Sequence, residues 1–327
     1  MRKSVTIEAV GRGWTVADIP SQAGRRALIT GANSGIGYHA AIELARKGAH
    51  VLLACRDEAK GDAALLRMRR EVPYASAEVA LLDLASLESV RAFAAAEIAR
   101  GVPLDLLINN AGVMAPRKRL ETADGFEIQF GTNVLGHFAL TAMLFPALKR
   151  DAASRSRRPR VVTIASIAHK SGQMDFDDLQ SRKSYNPMRA YRQSKLADLM
   201  FAFELDRRLR SAGTPASEVM GVAAHPGVAN TNLFQNGKYS AVERLVRRGV
   251  GAAIAAFLNS EADGAVPTLF AATSPSVTDG GYYGPKGFQE MRGGNVGAAE
   301  VAAQALDQRS AAQLWRDCEH LTGISFL

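Results

Sequence analysis

Tyr191 and Lys195 stand four residues apart in the stretch AYRQSKLADLM at 190–200, which holds no glycine or proline. A free phenol titrates near pH 10 and is a poor acid or base at neutral pH. Positions four apart on a helix share one face, so the hydroxyl and the ammonium can point into one cleft. A positive charge there favours the phenolate, and bringing a phenol into the neutral range takes about 4 kcal/mol of differential stabilisation. The same spacing also describes a packed aromatic beside a solvated cation. Its meaning depends on what the rest of the chain sets around it.

A second constellation lies far upstream, in RALITGANSGIGYHAAIELARKGAHVLLACRD from residue 26. It reads as strand, glycine turn, helix, a stop at Gly48 and a second strand. Glycine is needed where a chain turns tightly and where backbone must approach a pyrophosphate at a helix N-terminus. The turn residues Gly31, Asn33, Ser34, Gly35, Ile36 and Gly37 are therefore candidate dinucleotide contacts, and their place between strand and helix gives the triplet its weight. At the end of the second strand an acidic residue would hold the 2′-hydroxyl of NAD, whereas arginine can pair with the 2′-phosphate of NADP. This chain has Cys55 and then Arg56, which favours NADP(H) over NAD(H), although Asp57 follows and could turn outward or compete.

Elements that must carry these residues are visible as short branched apolar runs: 26–30, 50–54, 78–82, 104–109, 160–166 and 218–224. Between them, 38–47, 86–99, 126–149 and 189–210 have helical periodicity. Strand alternating with helix implies an α/β fold, a doubly wound parallel sheet whose binding sites lie at the carboxyl ends of its strands. No Pro/Gly/Ser-rich linker divides residues 1–327, so one domain is expected, with a core near 25–285 and a C-terminal extension over 286–327. The pattern becomes irregular over 168–188 and 232–258, an insertion and a lid of the kind that builds a substrate pocket.

Composition narrows the class further. Hydrophobic residues make up 47% and charged residues 22% of the chain, ordinary values for a folded globule. Much of the net charge of +8 is clustered, at Arg67, Arg69 and Arg70 and again at Lys149, Arg150, Arg155, Arg157, Arg158 and Arg160. No aromatic residues interleave with these cations to stack bases, so solvated helix ends and a surface loop are expected rather than a nucleic-acid partner. Cys55 and Cys318 are too few for a disulfide framework and lack metal-ligand spacing, which suits a reducing cytoplasm and implies no metal site. The apolar run near 250–258 is too short to cross a bilayer, and no transmembrane segment is expected.

Together the G-x-x-x-G-x-G spacing and Tyr191-x-x-x-Lys195 resemble the short-chain dehydrogenase/reductase family in its classical form. NNAG at 109–112 resembles the stretch after the fourth strand that lines the cofactor site, implicating Asn110, Ala111 and Gly112. DLAS matches the segment whose aspartate, here Asp83 with Leu84 beside it, meets the adenine. TNVLGHF carries Asn133 at the position of the catalytic asparagine, and HPGVANT supplies Pro226, Gly227, Val228 and Thr231 toward the nicotinamide. The resemblance implies a single Rossmann-type domain of about seven strands with a substrate lid after the sixth. The segment between Ser166 and Tyr191, with LLACRD and AYRQSKLAD, is similar to the branch that holds the retinol dehydrogenases, the WW-domain oxidoreductase and protochlorophyllide reductase. Ala165 before Ser166 departs from that branch, where two serines are common, and so does the lack of a membrane anchor.

These residues imply hydride transfer between a nicotinamide and a carbonyl or alcohol, with Tyr191 as general acid/base. Ser166 ends a strand at the cleft and is favoured over Ser171 and Ser194 to bind the substrate oxygen; Lys195 would hold the ribose and tune Tyr191. Asn133, by the same resemblance, positions a water between Lys195 and solvent. His169 and His225 receive no catalytic role. The lid's AAIAAFL suggests a hydrophobic small-molecule carbonyl or alcohol, and the same helix could instead serve a homo-oligomer contact. A non-catalytic NADP(H)-binding sensor is the alternative, against which the intact Ser, Tyr, Lys and Asn set argues. A nucleic-acid binder using the basic loop is a third reading, removed if no salt-sensitive binding is seen.

Overall fold

The central strands are nearly continuous runs of Val, Ile, Leu and Ala because both of their faces are covered. In the computed structural model, which describes residues 13–154, 157–211, 218–228, 259–293 and 295–327, these runs form β1 (Arg26–Thr30), β2 (His50–Cys55), β3 (Ser76–Leu81), β4 (Leu106–Asn109), β5 (Arg160–Ile164), β6 (Met220–Ala224), β7 (Tyr282–Pro285) and β8 (Val296–Ala298). Side-chain alternation splits them between two cores. Leu28, Leu52, Leu107 and Val161 face one side, and Ile29, Val51, Leu53, Ile108 and Val162 the other.

The strands pair in the order β3-β2-β1-β4-β5-β6-β7-β8. All neighbours are parallel except β7 and β8. The order reverses between β1 and β4, and at such a switch point the carboxyl ends of the strands leave a crevice for a ligand. Helices α1 (Gly35–Arg46), α2 (Glu58–Glu71), α3 (Leu87–Ala99), α4 (Gly136–Lys149), α5 (Pro187–Ser211), α6 (Glu261–Thr273) and α7 (Gln308–Thr322) flank the sheet. The doubly wound expectation is met.

Three expectations need correction or qualification. The sheet has eight strands rather than about seven, since three residues of the C-terminal extension add an antiparallel edge strand, too short for any periodicity to reveal. That extension is also a structural part of the fold: Trp315 on α7 is 1% exposed and packs on Phe138, Phe201 and Phe326. The lid at 232–258 and Thr231 lie outside the described residues.

Among the described residues, the helical stretch Phe130–Lys149 is long and apolar enough to cross a bilayer, but it is buried against the sheet. The basic cluster is largely occupied within the fold. Arg158 pairs with Asp279 at 2.8 Å, Arg160 donates to Ala271 O and Ser274 O, Lys149 pairs with Glu218, and Arg157 donates to Ser21 O. Arg155 lies outside the described residues.

Candidate active site

The glycine turn closes onto the end of β4. Gly31 has φ +68°, and a Cβ there would lie 3.1 Å from Ala111 Cα. A Cβ on Gly37 would lie 2.5 Å from Asn110 Nδ2 and 2.6 Å from Gly31 O, so only glycine lets α1 approach this closely. Gly35 opens α1 with φ +59°, and Ser34 is in extended N-cap geometry with its side chain making no cap bond. Asn33 and Ser34 are half-buried at the crevice, and Ile36 packs inward. The cradle fits a dinucleotide.

Thr30, the last residue of β1, fastens this turn to the neighbouring strand. Its Oγ1 accepts from Asn110 N and from Ala111 N, each at 2.9 Å, and Asn110 Nδ2 donates back to Thr30 O at 2.8 Å. The same hydroxyl lies 2.9 Å from His137 Nε2, and His137 Nδ1 lies 2.7 Å from Asn133 O. A carbonyl can only accept, so Nδ1 carries the proton. Burial, together with the charge of Lys195, pushes His137 down to about 4. The ring is therefore neutral, Nε2 accepts, and Thr30 donates.

Asn133 is fully buried in a stretch, Phe130–Leu135, that widens to i→i+5 bonding just before α4. Such widenings recur at functional sites because they re-aim one side chain. Here Asn133 Oδ1 accepts from Val113 N at 2.8 Å, while Nδ2 donates to Val113 O and to Ser194 Oγ. Ser194 in turn donates to Tyr191 O at 2.9 Å, so it braces α5 and does not face substrate. A Cβ on Gly112 would lie 3.4 Å from Asn133 Oδ1 and 3.9 Å from Lys195 Nζ, which brings the NNAG segment, the asparagine and the lysine to one place.

Helix α5 starts where Pro187 takes the first turn and Asn186 Oδ1 accepts from Arg189 N. Tyr191 is 8% and Lys195 6% exposed. Lys195 Nζ donates to Ile164 O, the last residue of β5, at 2.9 Å and to Asp198 Oδ2 at 2.7 Å. Burial works against the Lys195 ammonium, but Asp198 and Tyr191 outweigh it and hold its titration above the usual range. Asp198, 3% exposed, is pushed up to about 6 by burial despite the ammonium beside it. Ser166, two residues beyond Ile164, is half-buried and its Oγ accepts from Ala168 N at the head of a single-turn helix. Gly172 lets the chain after that turn lie against α5, since a Cβ there would be 2.6 Å from Arg192 O. Ser171 points to solvent.

At the remaining strand ends, Asp83 Oδ1 accepts from Ala85 N, and buried Leu84 packs on Gly136. Arg56 is exposed at the end of β2. Asp57 is engaged by α2: its Oδ1 caps the helix by accepting from Lys60 N, and Oδ2 lies 3.2 Å from Lys60 Nζ. Gly227 has φ +70°; Pro226 O accepts from Asn259 Nδ2, and Val228 N donates to Met291 O.

Sequence reasoning left out Thr30, His137 and Asp198, which orient the named residues. It also left His169 and His225 aside. Both are fully buried beside Tyr282, and burial lowers the titration of each. His169 Nδ1 bonds Ser166 O at 2.7 Å, so its part is to hold the turn after β5.

Comparison with known proteins identifies the family and the fold. The family model described as short chain dehydrogenase matches residues 25–239. Polyprenol dehydrogenase of Mus musculus is 41% identical over 306 residues, covering 93% of this chain and 86% of that protein. Retinol dehydrogenase 14 of Homo sapiens is 37% identical over 316 residues, covering 92% and 87%. The crystal structure of an uncharacterised protein from Mycobacterium paratuberculosis shares 42% identity and superposes with a TM-score of 0.76 over 97% of this chain and 100% of that one. A glycine cradle at the β1/β4 switch point, a Tyr-Lys pair at the end of β5 and these matches make the chain a member of the short-chain dehydrogenase/reductase family of NAD(P)(H)-using oxidoreductases, in its retinol dehydrogenase-like branch.

Proposed function

We propose that the protein is an NADP(H)-dependent oxidoreductase acting on a hydrophobic ketone, aldehyde or alcohol, with Tyr191 as the general acid/base. The observation that carries this reading is the buried Lys195 beside Tyr191 on α5, tied to the end of β5 and facing the glycine cradle across Gly112. Gly31 to Gly37, Asn110 to Gly112, Asp83 and Pro226 to Val228 would hold the dinucleotide, and a bound nicotinamide supplies or takes up the hydride. In reduction, the Tyr191 hydroxyl gives its proton to the carbonyl oxygen; in oxidation, the phenolate takes the proton of the alcohol. Ser166 Oγ donates to the same oxygen and stabilises its developing charge. An ammonium has three N–H donors, and with two engaged by Ile164 O and Asp198, Lys195 retains one for the ribose hydroxyls. Asn133 and Lys195 both reach the space beside Gly112, which suits a water that passes protons to solvent.

Exposed Arg56 at the end of β2, with Asp57 occupied in capping α2 and pairing with Lys60, supports NADP(H), since a guanidinium suits a 2′-phosphate. Relatives named for a polyprenol and a retinol support an apolar alcohol or its carbonyl counterpart as substrate. Met188, exposed on α5 one turn before Tyr191, suits the same approach. Two free, buried cysteines suit a reducing cytoplasm. The test is an NADPH- and NADH-coupled screen over retinal, aromatic ketones, quinones and steroids. Tyr191→Phe is expected to bind NADPH normally and lose roughly 10²–10⁴-fold in turnover. Near wild-type turnover of that variant would refute the assignment. Arg56→Asp is expected to abolish the NADPH preference, and an unchanged preference would refute the cofactor reading.

A further inference from the structure

Asp198 puts a carboxylate against the one cation that the proposed chemistry needs. Its Oδ2 is 2.7 Å from Lys195 Nζ, and neither residue is more than 6% exposed. If Lys195 acted only as a positive charge beside Tyr191, a buried carboxylate in contact with it would be counterproductive, because it offsets that charge where water does not screen it. The pairing has two effects instead. It fixes the ammonium on Ile164 O with the geometry of a charge-assisted bond, and it makes the field at Tyr191 depend on the state of a second group one turn further along α5.

We propose that Asp198 is a positioning residue of this site: it clamps Lys195 onto the end of β5 and, by gaining or losing its proton, sets how much positive charge Lys195 presents to Tyr191. This rests on the catalytic reading of Tyr191 and Lys195. The titratable groups facing the pair are few among the described residues. Lys195 and Tyr191 lie on the same helix, Cys318 faces Asp198 from α7, and His137 faces Lys195 from α4. Burial keeps the Cys318 thiol protonated, and His137 is neutral above about 4. Asp198, pushed up to about 6, is left as the group that changes charge just below neutral pH. When it is protonated the ammonium is unopposed and the phenolate is favoured; when it is ionised that advantage falls.

The test is the pH profile of kcat for alcohol oxidation at saturating cofactor, in the wild type, Asp198→Asn, Asp198→Glu and Asp198→Ala. Asparagine keeps an acceptor for Lys195 Nζ and removes the charge, so the activity limb is expected to move to lower pH by about one unit. Glutamate keeps the charge and is expected to restore the wild-type profile. Alanine also removes the clamp and is expected to raise the KM for the dinucleotide several-fold. An Asp198→Asn limb that stays in place or moves to higher pH overturns the proposal. If Asp198→Asn fails to fold, an Asp198→Glu limb that departs from the wild-type one overturns it instead. Tyr191→Phe run alongside separates the two levels, because its retention of turnover sinks the catalytic reading itself, whereas an unmoved Asp198→Asn limb sinks only the role of Asp198.

Discussion

His137 is held neutral by burial, and its two ring nitrogens connect the end of β1 to the turn that carries Asn133. That neutrality has a measurable cost in acid. The folded protein takes up this proton only near pH 4, whereas the unfolded chain takes it up near 6.5, so the unfolded state binds more protons between the two and stability falls as pH drops through this window. At pH 5 the loss from this one group is about 2 kcal/mol. Asp198 works in the opposite sense, because its raised titration makes the fold gain stability as pH falls from about 6 toward 3.8. The comparison must therefore be between wild type and His137→Gln, in which the Asp198 contribution cancels. Urea denaturation at pH 7 and pH 5 is expected to show the wild-type advantage shrinking by about 2 kcal/mol at the lower pH, and an unchanged gap would show that His137 is charged in the fold. Tyr191, Lys195 and Ser166 were legible in the sequence because their types and order are unusual together. His137 and Asp198 were not, because a histidine or an aspartate inside an apolar helix shows no sign of the partner that tertiary packing will bring.

The elements were legible where their patterns are long, and least so where tertiary contacts define them. Runs of branched residues marked β1 and β2 closely, while β4 and β5 are each two residues shorter than the apolar stretches that mark them. The edge strand β8 has three residues and exists because Lys286 N and Ala299 N find partners across β7. The insertion at 168–188 shows no regular pattern in the sequence, yet Gln193 on α5 holds both ends of its middle, accepting from Asp175 N and donating to Leu179 O. At the junction of α1 with the sheet the packing leaves no slack. Gly37→Ala would drive a methyl into Asn110 Nδ2 and Gly31 O, the group that staples β4 to β1 and the turn beneath the proposed pyrophosphate site. Overpacking of this kind costs about 1–3 kcal/mol. The variant is expected to unfold at lower urea and to bind NADPH at least tenfold more weakly by fluorescence titration, and unimpaired binding would show that the cradle tolerates a side chain.

Across the whole molecule, chemistry and stability occupy opposite ends of the sheet. Tyr191, Lys195, Ser166 and the glycine turn gather at the carboxyl ends of β1, β4 and β5. At the amino ends the arginines are spent on cross-connections: Arg26 with Glu97, Arg25 with Asp105 and, from the basic run before β5, Arg158 with Asp279. Arg160 is the clearest of these. It starts β5, and its guanidinium closes the C-terminus of α6 by donating to Ala271 O at 2.8 Å and Ser274 O at 2.9 Å. Burial and the neighbouring charge of Arg25 push it down to about 10, so it remains charged at neutral pH and keeps both donors. The sequence suggested a solvated loop cation here rather than a buried clamp, because the acceptors are carbonyls more than 100 residues away in the chain. Arg160→Met fills the same space without the donors, so Ala271 O loses its guanidinium partner and Ser274 O keeps only the 3.5 Å bond from Val277 N, a loss of about 1–3 kcal/mol in the stability measured by urea. Because Arg160 and Lys195 meet opposite ends of the same five-residue strand, kcat and NADPH affinity are expected to be unchanged at temperatures where the variant is folded. A fall in kcat without loss of stability would mean that the two ends of the sheet are coupled through β5.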